Sequence, residues 1–461
     1  MNDSLSVKQY NRMTNTKIPK LILSLAIPAI ISMLVTALYN MADTYFVGRL
    51  GPMATGAVGV VFSLQAIVQA VGFMLGMGAG SIISRLLGAK DNEGATIHGN
   101  VAFFSAIIFG IIYSISGIVF IDAFMRVLGA SETILPYARD YASYILLGVP
   151  IIASSFVLNN LLRAEGKTTL SMIGLVTGAI INIGLDPIFI NEWGLNLGIS
   201  GAAIATIISQ TISFCILLSF FVFKKTIVRI SFRYLFNSPR YLFDIAKAGL
   251  PSFARQMLAS FATIILNNQA SLYGNDPAVA AISIATKLYM LVFSIALGMG
   301  QGFQPVVGYN YSSNHIKRVK ESIIFTYLIM TLVLTLSGIL CFVFSEGLVD
   351  LFVENSKEGG LETITIGSHI LRYNTLVYPL LSLNVITNMT YQSIGMKWKS
   401  TLLSSFRQGL FFIPIIIFLP IALELFGVEI AQALSDLITF FATLPFSIIF
   451  IKKINKKIEV A

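Results

Sequence analysis

The string Leu75-Gly76-Met77-Gly78-Ala79-Gly80 recurs as Leu297-Gly298-Met299-Gly300-Gln301-Gly302, displaced by 222 residues. Glycine-rich apolar strings recur by chance, so the pair matters only in company. Pro28 has a counterpart in Pro251 and Gly51 in Gly274, each 223 residues further on. Pro150 matches Pro379, Gly166 matches Gly395 and Gly198 matches Gly427, all 229 residues apart. The offset drifts without jumping, as in a duplicated unit that has gained small loop insertions. The chain reads as two copies of one unit, and function is expected where the copies meet or where they differ.

Composition places that unit in a membrane. Of 461 residues, 56% are hydrophobic and 11% charged, against about 25% charged in soluble domains. Apolar stretches long enough to cross about 30 Å of hydrocarbon recur along the whole chain. Residues 1–17 are polar, and the apolar run from there through Pro28 to Val47 lacks a small-residue cleavage site. It reads as a retained first helix and not a removed signal peptide. The net charge of +9 does not imply nucleic acid, because the basic residues sit between apolar segments and form no single stripe. Cys215 and Cys341 lie inside apolar runs and read as packing residues. His98, His315 and His369 are far apart and have no ligand spacing. With no paired histidines and no nucleophile–base set, the chain reads as a non-enzyme without a cofactor.

Hydropathy divides the chain into segments at about 18–47, 54–88, 96–122, 135–164, 168–190, 199–223, 243–273, 277–310, 319–345, 362–394, 399–424 and 429–453. The expected fold is an all-α integral membrane protein with twelve transmembrane helices in two pseudo-symmetric six-helix lobes. Its expected units are an N-terminal tail 1–17, an N-lobe 18–224, a linker 225–242, a C-lobe 243–453 and a tail 454–461. With the N-terminus in the cytoplasm, most of the 31 basic residues fall on cytoplasmic loops and tails, including Lys224, Lys225, Arg229, Arg233, Arg240 and Lys247 in the bridge between copies. Arg49, Arg126, Arg139, Lys357 and Arg372 fall outside, among acids such as Glu346, Asp350, Glu354, Glu358 and Glu362. Basic residues favour the cytoplasmic side, so both termini are expected there, in the plasma (inner) membrane. An even number of crossings per copy relates the halves by an axis along the membrane normal.

Prolines 28, 150, 187, 251, 305, 379, 414 and 445 lie within segments, where each removes a backbone bond and permits a kink. The symmetry-matched pairs Pro28/Pro251 and Pro150/Pro379 read as shared bends. The repeated glycines make thin faces for close helix contact.

An ionisable residue deep in a helix costs about 2.5–3.5 kcal/mol on insertion scales, so each asks for a reason. In the first copy these residues are Asp43, near the outer end of the first segment, and Asp186, near the outer end of the fifth. Thr206 lies at the same depth in the sixth segment. Asn182 precedes Asp186 by one turn on the same face, and Tyr39 and Asn40 stand in the same relation to Asp43. Two carboxylates, an amide carbonyl and a hydroxyl form a hard-oxygen cage suited to Na⁺. The two carboxylates could equally share one proton, since like charges resist joint ionisation. Pro187 leaves the Ile183 carbonyl without its usual donor, offering another oxygen. The second copy does not repeat this. Asn182, Asp186 and Thr206 map to Phe411, Ile415 and Ser435, and Asp43 maps beside Asn267 and Asn268. That copy carries Arg255, Lys287, Arg407 and Asp436, and Lys287 is expected to pair with Asp436. Gln256, Lys287, Asn384, Asn388, Gln432 and Asp436 are its candidate cavity residues.

The run Tyr39-Asn40-Met41-Ala42-Asp43-Thr44-Tyr45-Phe46-Val47-Gly48, the loop Arg163-Ala164-Glu165-Gly166 and the string Asn182-x-x-x-Asp186-Pro187 resemble the multidrug and toxic compound extrusion (MATE) family, from about Pro19 to Lys453. The resemblance implies cation-coupled antiport (Na⁺ or H⁺) of bulky amphipathic or cationic compounds. It also implies an ion site at the positions of Asp43, Asn182, Asp186 and Thr206, and a first helix that bends near Pro28 when the ion binds. Some members carry a glutamate in the seventh helix; here no acid lies between Pro251 and Tyr273, and Arg255 does. The expected partners are small amphipathic molecules and lipid, with the chain a monomer. A lipid-linked saccharide flippase, which shares the fold, is the alternative, kept by Arg255, Lys287 and Arg407. The major facilitator fold is disfavoured because its basic loop signature is missing from Arg85-Leu86-Leu87-Gly88-Ala89-Lys90-Asp91.

Overall fold

The computed structural model describes residues 2–191, 194–234, 239–353 and 359–460. The long helices follow the apolar runs. In chain order they are α1 Asn2–Asn15, α2 Ile18–Gly48, α3 Pro52–Gly88, α4 Asn92–Val119, α5 Ile121–Val127, α6 Leu135–Ala164, α7 Thr168–Ile190, α8 Gly198–Val222, α9 Pro239–Tyr273, α10 Asp276–Ser312, α11 Ile316–Val343, α12 Ser345–Asp350, α13 Gly360–Ser393, α14 Lys397–Ser405 and α15 Phe412–Val460. No strand occurs among the described residues. Nine spans among them are long and apolar enough to cross a membrane. The last runs from Lys397 to Glu459 and contains both a π-helical turn, Phe406–Phe411, and a non-helical residue, Glu424, with φ 50°.

Local chemistry explains where helices begin and end. A proline occupies the first turn of α2, α3, α6 and α10, where its missing N–H costs nothing. Asp91 caps α4 by accepting from the Gly94 N–H at 2.8 Å, and Asn275 caps α10 by accepting from the Ala278 N–H at 3.1 Å. The repeat-matched Gly166 and Gly395 follow α6 and α13 with φ of +75° and +84°. That left-handed stop favours glycine, which accounts for the match between copies.

Helices α2 to α8 pack on one another, with α6 central between α3, α4 and α8. Helices α9 to α15 do the same around α13, which packs on α10, α11 and α15. The halves meet where α3 crosses α9 and α2 crosses α10, and the repeated glycine strings lie in that seam. A Cβ on Gly78 would stand 2.8 Å from the Gly249 nitrogen of α9, and Gly249 abuts the Met74 carbonyl of α3. A Cβ on Gly298 would stand 2.5 Å from the Ile30 Cα of α2, and one on Gly302 2.5 Å from the Ala26 Cα. The copies use opposite members of the string. In α3 the central glycine faces the other half, while Gly76 faces Phe156 and Asn160 of its own. In α10 the outer two face the other half, while Gly300 faces Met389 of its own. Pro28 lies inside α2 beside this crossing, and the Ser32 hydroxyl donates back to its carbonyl at 2.8 Å.

Several expectations are corrected. Residues 2–15 form α1, and it is anchored: Met13 is fully buried, and the Gln9 amide donates to the Glu165 carbonyl at 2.7 Å. The seventh segment begins at Pro239, and the last runs on to Val460 because its lysine-rich end still favours helix. Cys215 is exposed on α8, so it does not pack the core; Cys341 is half-buried. The outer-loop positions Glu354, Lys357 and Glu358, and positions 235–238 of the expected linker, lie outside the described residues.

Candidate functional site

Three helices converge on a cluster of oxygens in the first half. The spacing from Asn182 to Asp186 is one helical turn, so both project from one face of α7. The Asn182 Nδ2 donates to Asp186 Oδ1 at 3.2 Å and approaches Thr206 Oγ1 of α8 at 3.4 Å. Asp43 of α2 interacts electrostatically with Asp186. All four are sealed from water: Asp186 is 0% exposed, Asn182 2%, Asp43 5% and Thr206 8%. Yet Asp43 Oδ1, Asn182 Oδ1 and Asp186 Oδ2 each lack any hydrogen-bond donor. Buried acceptors without donors are costly, and these three are all oxygens. Among the described residues, no basic side chain pairs with either carboxylate. Such an arrangement has the chemistry to accept a hard cation, a proton or another hydrogen-bond donor.

Three further side chains, Tyr39, Gln210 and Tyr141, complete the cluster. Tyr39 of α2 interacts with both carboxylates and with Gln210 of α8. Tyr141 of α6, buried at 2% exposure, interacts with Thr206 and both carboxylates. Gln210 stands one turn after Thr206, so the spacing rule that linked Asn182 to Asp186 would have found it. Tyr141 carries no such signal, because only tertiary packing brings α6 there. Asn40 is half-buried, and no hydrogen bond joins its side chain to the cluster among the described residues.

The second half holds a different polar centre. The Arg407 Nε donates to Asp436 Oδ1 at 2.8 Å, and the Tyr289 hydroxyl donates to Asp436 Oδ2 at 2.5 Å. The Arg407 guanidinium also bonds to the Tyr289 oxygen and lies 3.9 Å from the Phe293 ring centroid. The π-helical turn that carries Arg407 shifts it out of α-helical register and towards α10 and α15. Ser435, the counterpart of Thr206, donates to the Arg407 carbonyl at 2.8 Å and so serves this pair.

Lys287 does not pair with Asp436; it is exposed on α10. Tyr289, two residues on, points roughly the opposite way round the helix, and it is Tyr289 that meets Asp436. Lys287 and Tyr289 differ in azimuth, which depth along a helix does not report. Of the remaining expected cavity residues, Asn384 and Asn388 line a cavity with Arg255 and Arg407. Gln256 donates across the seam to Gln69 of α3 at 2.8 Å, and Gln432 accepts from Gln408 at 3.5 Å. Asp436 itself is 2% exposed and closed off by its partners.

Comparison with known proteins gives a consistent result. The family model MatE matches residues 28–188 and 251–418, one block in each half. The multidrug export protein MepA of Staphylococcus haemolyticus is 28% identical over 410 residues, covering 89% of this chain and 88% of that protein. A crystal structure of a MATE in complex with MaL6 superposes with a TM-score of 0.90 at 28% identity, covering 97% of this chain and 99% of the other. An outward-facing multidrug resistance MATE transporter of the MOP superfamily superposes with a TM-score of 0.90 at 29% identity, covering 96% and 98%.

Proposed function

The chain belongs to the MatE family, and from that premise we propose that it is a secondary antiporter exporting amphipathic small molecules in exchange for Na⁺ or H⁺. It spans the plasma membrane twelve times with both termini in the cytoplasm: the break at Glu424 divides α15 into two crossings, and the more polar α9 and α13 also cross. The helices from Ile18 to Val222 and from Pro239 to Val460 form the two lobes. The observation that carries the coupling role is the set of orphaned buried oxygens on Asp43, Asn182 and Asp186, with Thr206 at their edge. A cation or proton supplies what those oxygens lack, and removing it leaves two unpaired carboxylates that favour a different arrangement of α2 against α7 and α8.

Alternating access follows from the seam. The glycine contacts of α3 with α9 and of α2 with α10 close one end of the interface between lobes, while Asp43 lies near the other end of α2. Because α2 carries both Asp43 and the Pro28 crossing, a bend at Pro28 links ion occupancy to closure. The test is dye efflux from everted vesicles with Na⁺ and pH gradients imposed separately. One gradient is expected to drive transport; if neither does, the antiporter reading fails.

A further inference from the structure

We propose that the cavity of the C-lobe binds its cargo through a single oxyanion, a carboxylate or phosphate-type group on an apolar body, held between Arg255 and Arg407. This rests on the exporter reading above and names the class of cargo that lobe takes. The enclosed part of the cavity is about 30 Å³, on the order of one or two waters, so it takes the anionic head and leaves the body of the cargo at the mouth. Both arginines line it, and they are close enough to interact as like charges. Their charges are unequally met. Arg407 has Asp436. Arg255 is half-buried, and its one hydrogen bond among the described residues goes to the Met77 sulphur at 3.4 Å, a weak and uncharged acceptor. None of the cavity's lining residues is acidic.

Two guanidiniums served by one carboxylate leave an excess of one positive charge at membrane depth. That excess is expensive in a poorly hydrated place, and one oxyanion offsets it while matching the planar donor fork. Phe293, against which Arg407 stacks, and Leu297 and Met389 add apolar lining, which suits an aromatic or aliphatic body attached to the anion. The Asn384 Oδ1 and Asn388 Oδ1, both buried without a donor, add acceptors for a hydroxyl elsewhere on the ligand. The cavity is built to repel a simple cation.

The test is equilibrium binding to purified protein in nanodiscs of zwitterionic lipid, without any gradient, so a protein that transports nothing still answers. The probes are 2-naphthoate, its methyl ester, and a naphthyl trimethylammonium cation. The naphthoate should bind about tenfold more tightly than the ester, the scale of a charge-assisted hydrogen bond, and the cation least. Arg255→Gln should erase the preference and Arg255→Lys should keep part of it. Equal binding of the three probes by the wild type overturns the proposal, whatever the variants do. So does an anion preference unchanged in Arg255→Gln. Repeating the titration in nanodiscs containing phosphatidylglycerol identifies the source of the anion. Displacement of naphthoate that depends on Arg255 supports an anionic headgroup in the site, and undiminished naphthoate binding supports a soluble amphiphile.

Discussion

The two halves repeat one architecture and invert its polarity. Where the C-terminal ends of α2 and α7 meet the N-terminal half of α8, the first half gathers two carboxylates with no basic partner and three orphaned oxygens. The second half puts its acid, Asp436, under an arginine and a tyrosine and leaves a second arginine facing the cavity. A duplicated scaffold fixes where helices cross; it does not fix what charge they carry. The half with unmet carboxylate oxygens is suited to taking up a cation repeatedly. The half with a closed ion pair is suited to holding its shape.

That contrast predicts that one substitution has different consequences in the two halves. Asp186→Asn and Asp43→Asn should abolish gradient-driven efflux while leaving folded protein in the membrane, because each removes a charge that has no fixed partner. Asp436→Asn should instead destabilise the protein by about 3–5 kcal/mol, since it leaves Arg407 buried and uncompensated. Thermal unfolding of detergent-purified variants checks this, together with dye efflux. If Asp436→Asn melts like the wild type and only transport is lost, the assignment of the second half as structural is wrong.

A smaller effect tests the seam that both halves share. Gly302→Val should crowd the α2 backbone at Ala26 and cost about 1–3 kcal/mol of closure. Spin labels across the α2–α10 crossing would then report a population with the seam opened. Gly59, which has open space around it, should accept alanine without change. Equal responses at the two glycines would show that the repeated strings are not the closing surface.

Much of this is legible in the sequence, for a reason that also sets its limit. Repeat offsets, proline positions and apolar runs report on depth along a helix axis, and so does the spacing of Asn182, Asp186 and Thr206. Where side chains that share a depth also share a face, as Asn182 and Asp186 do, contact follows. Where the face is wrong, as for Lys287, it does not. Tyr141 reached the oxygen cluster through the packing of α6, and Arg407 reached Asp436 through a π-helical turn. Neither signal is written in periodicity. The reversal of glycine roles between α3 and α10 was hidden for the same cause: the strings are alike in sequence but rotated differently in space.

The most direct test of the account is ion uptake by the purified protein at equilibrium, with Na⁺ binding and proton release followed in the same samples. The wild type should take up one of the two ions, and Asp43→Asn and Asp186→Asn should each lose it, while Gln256→Ala in the other half retains it. Undiminished uptake by both aspartate variants, or no uptake of either ion by the wild type, would contradict the claim that the orphaned oxygens of the first half are the coupling site.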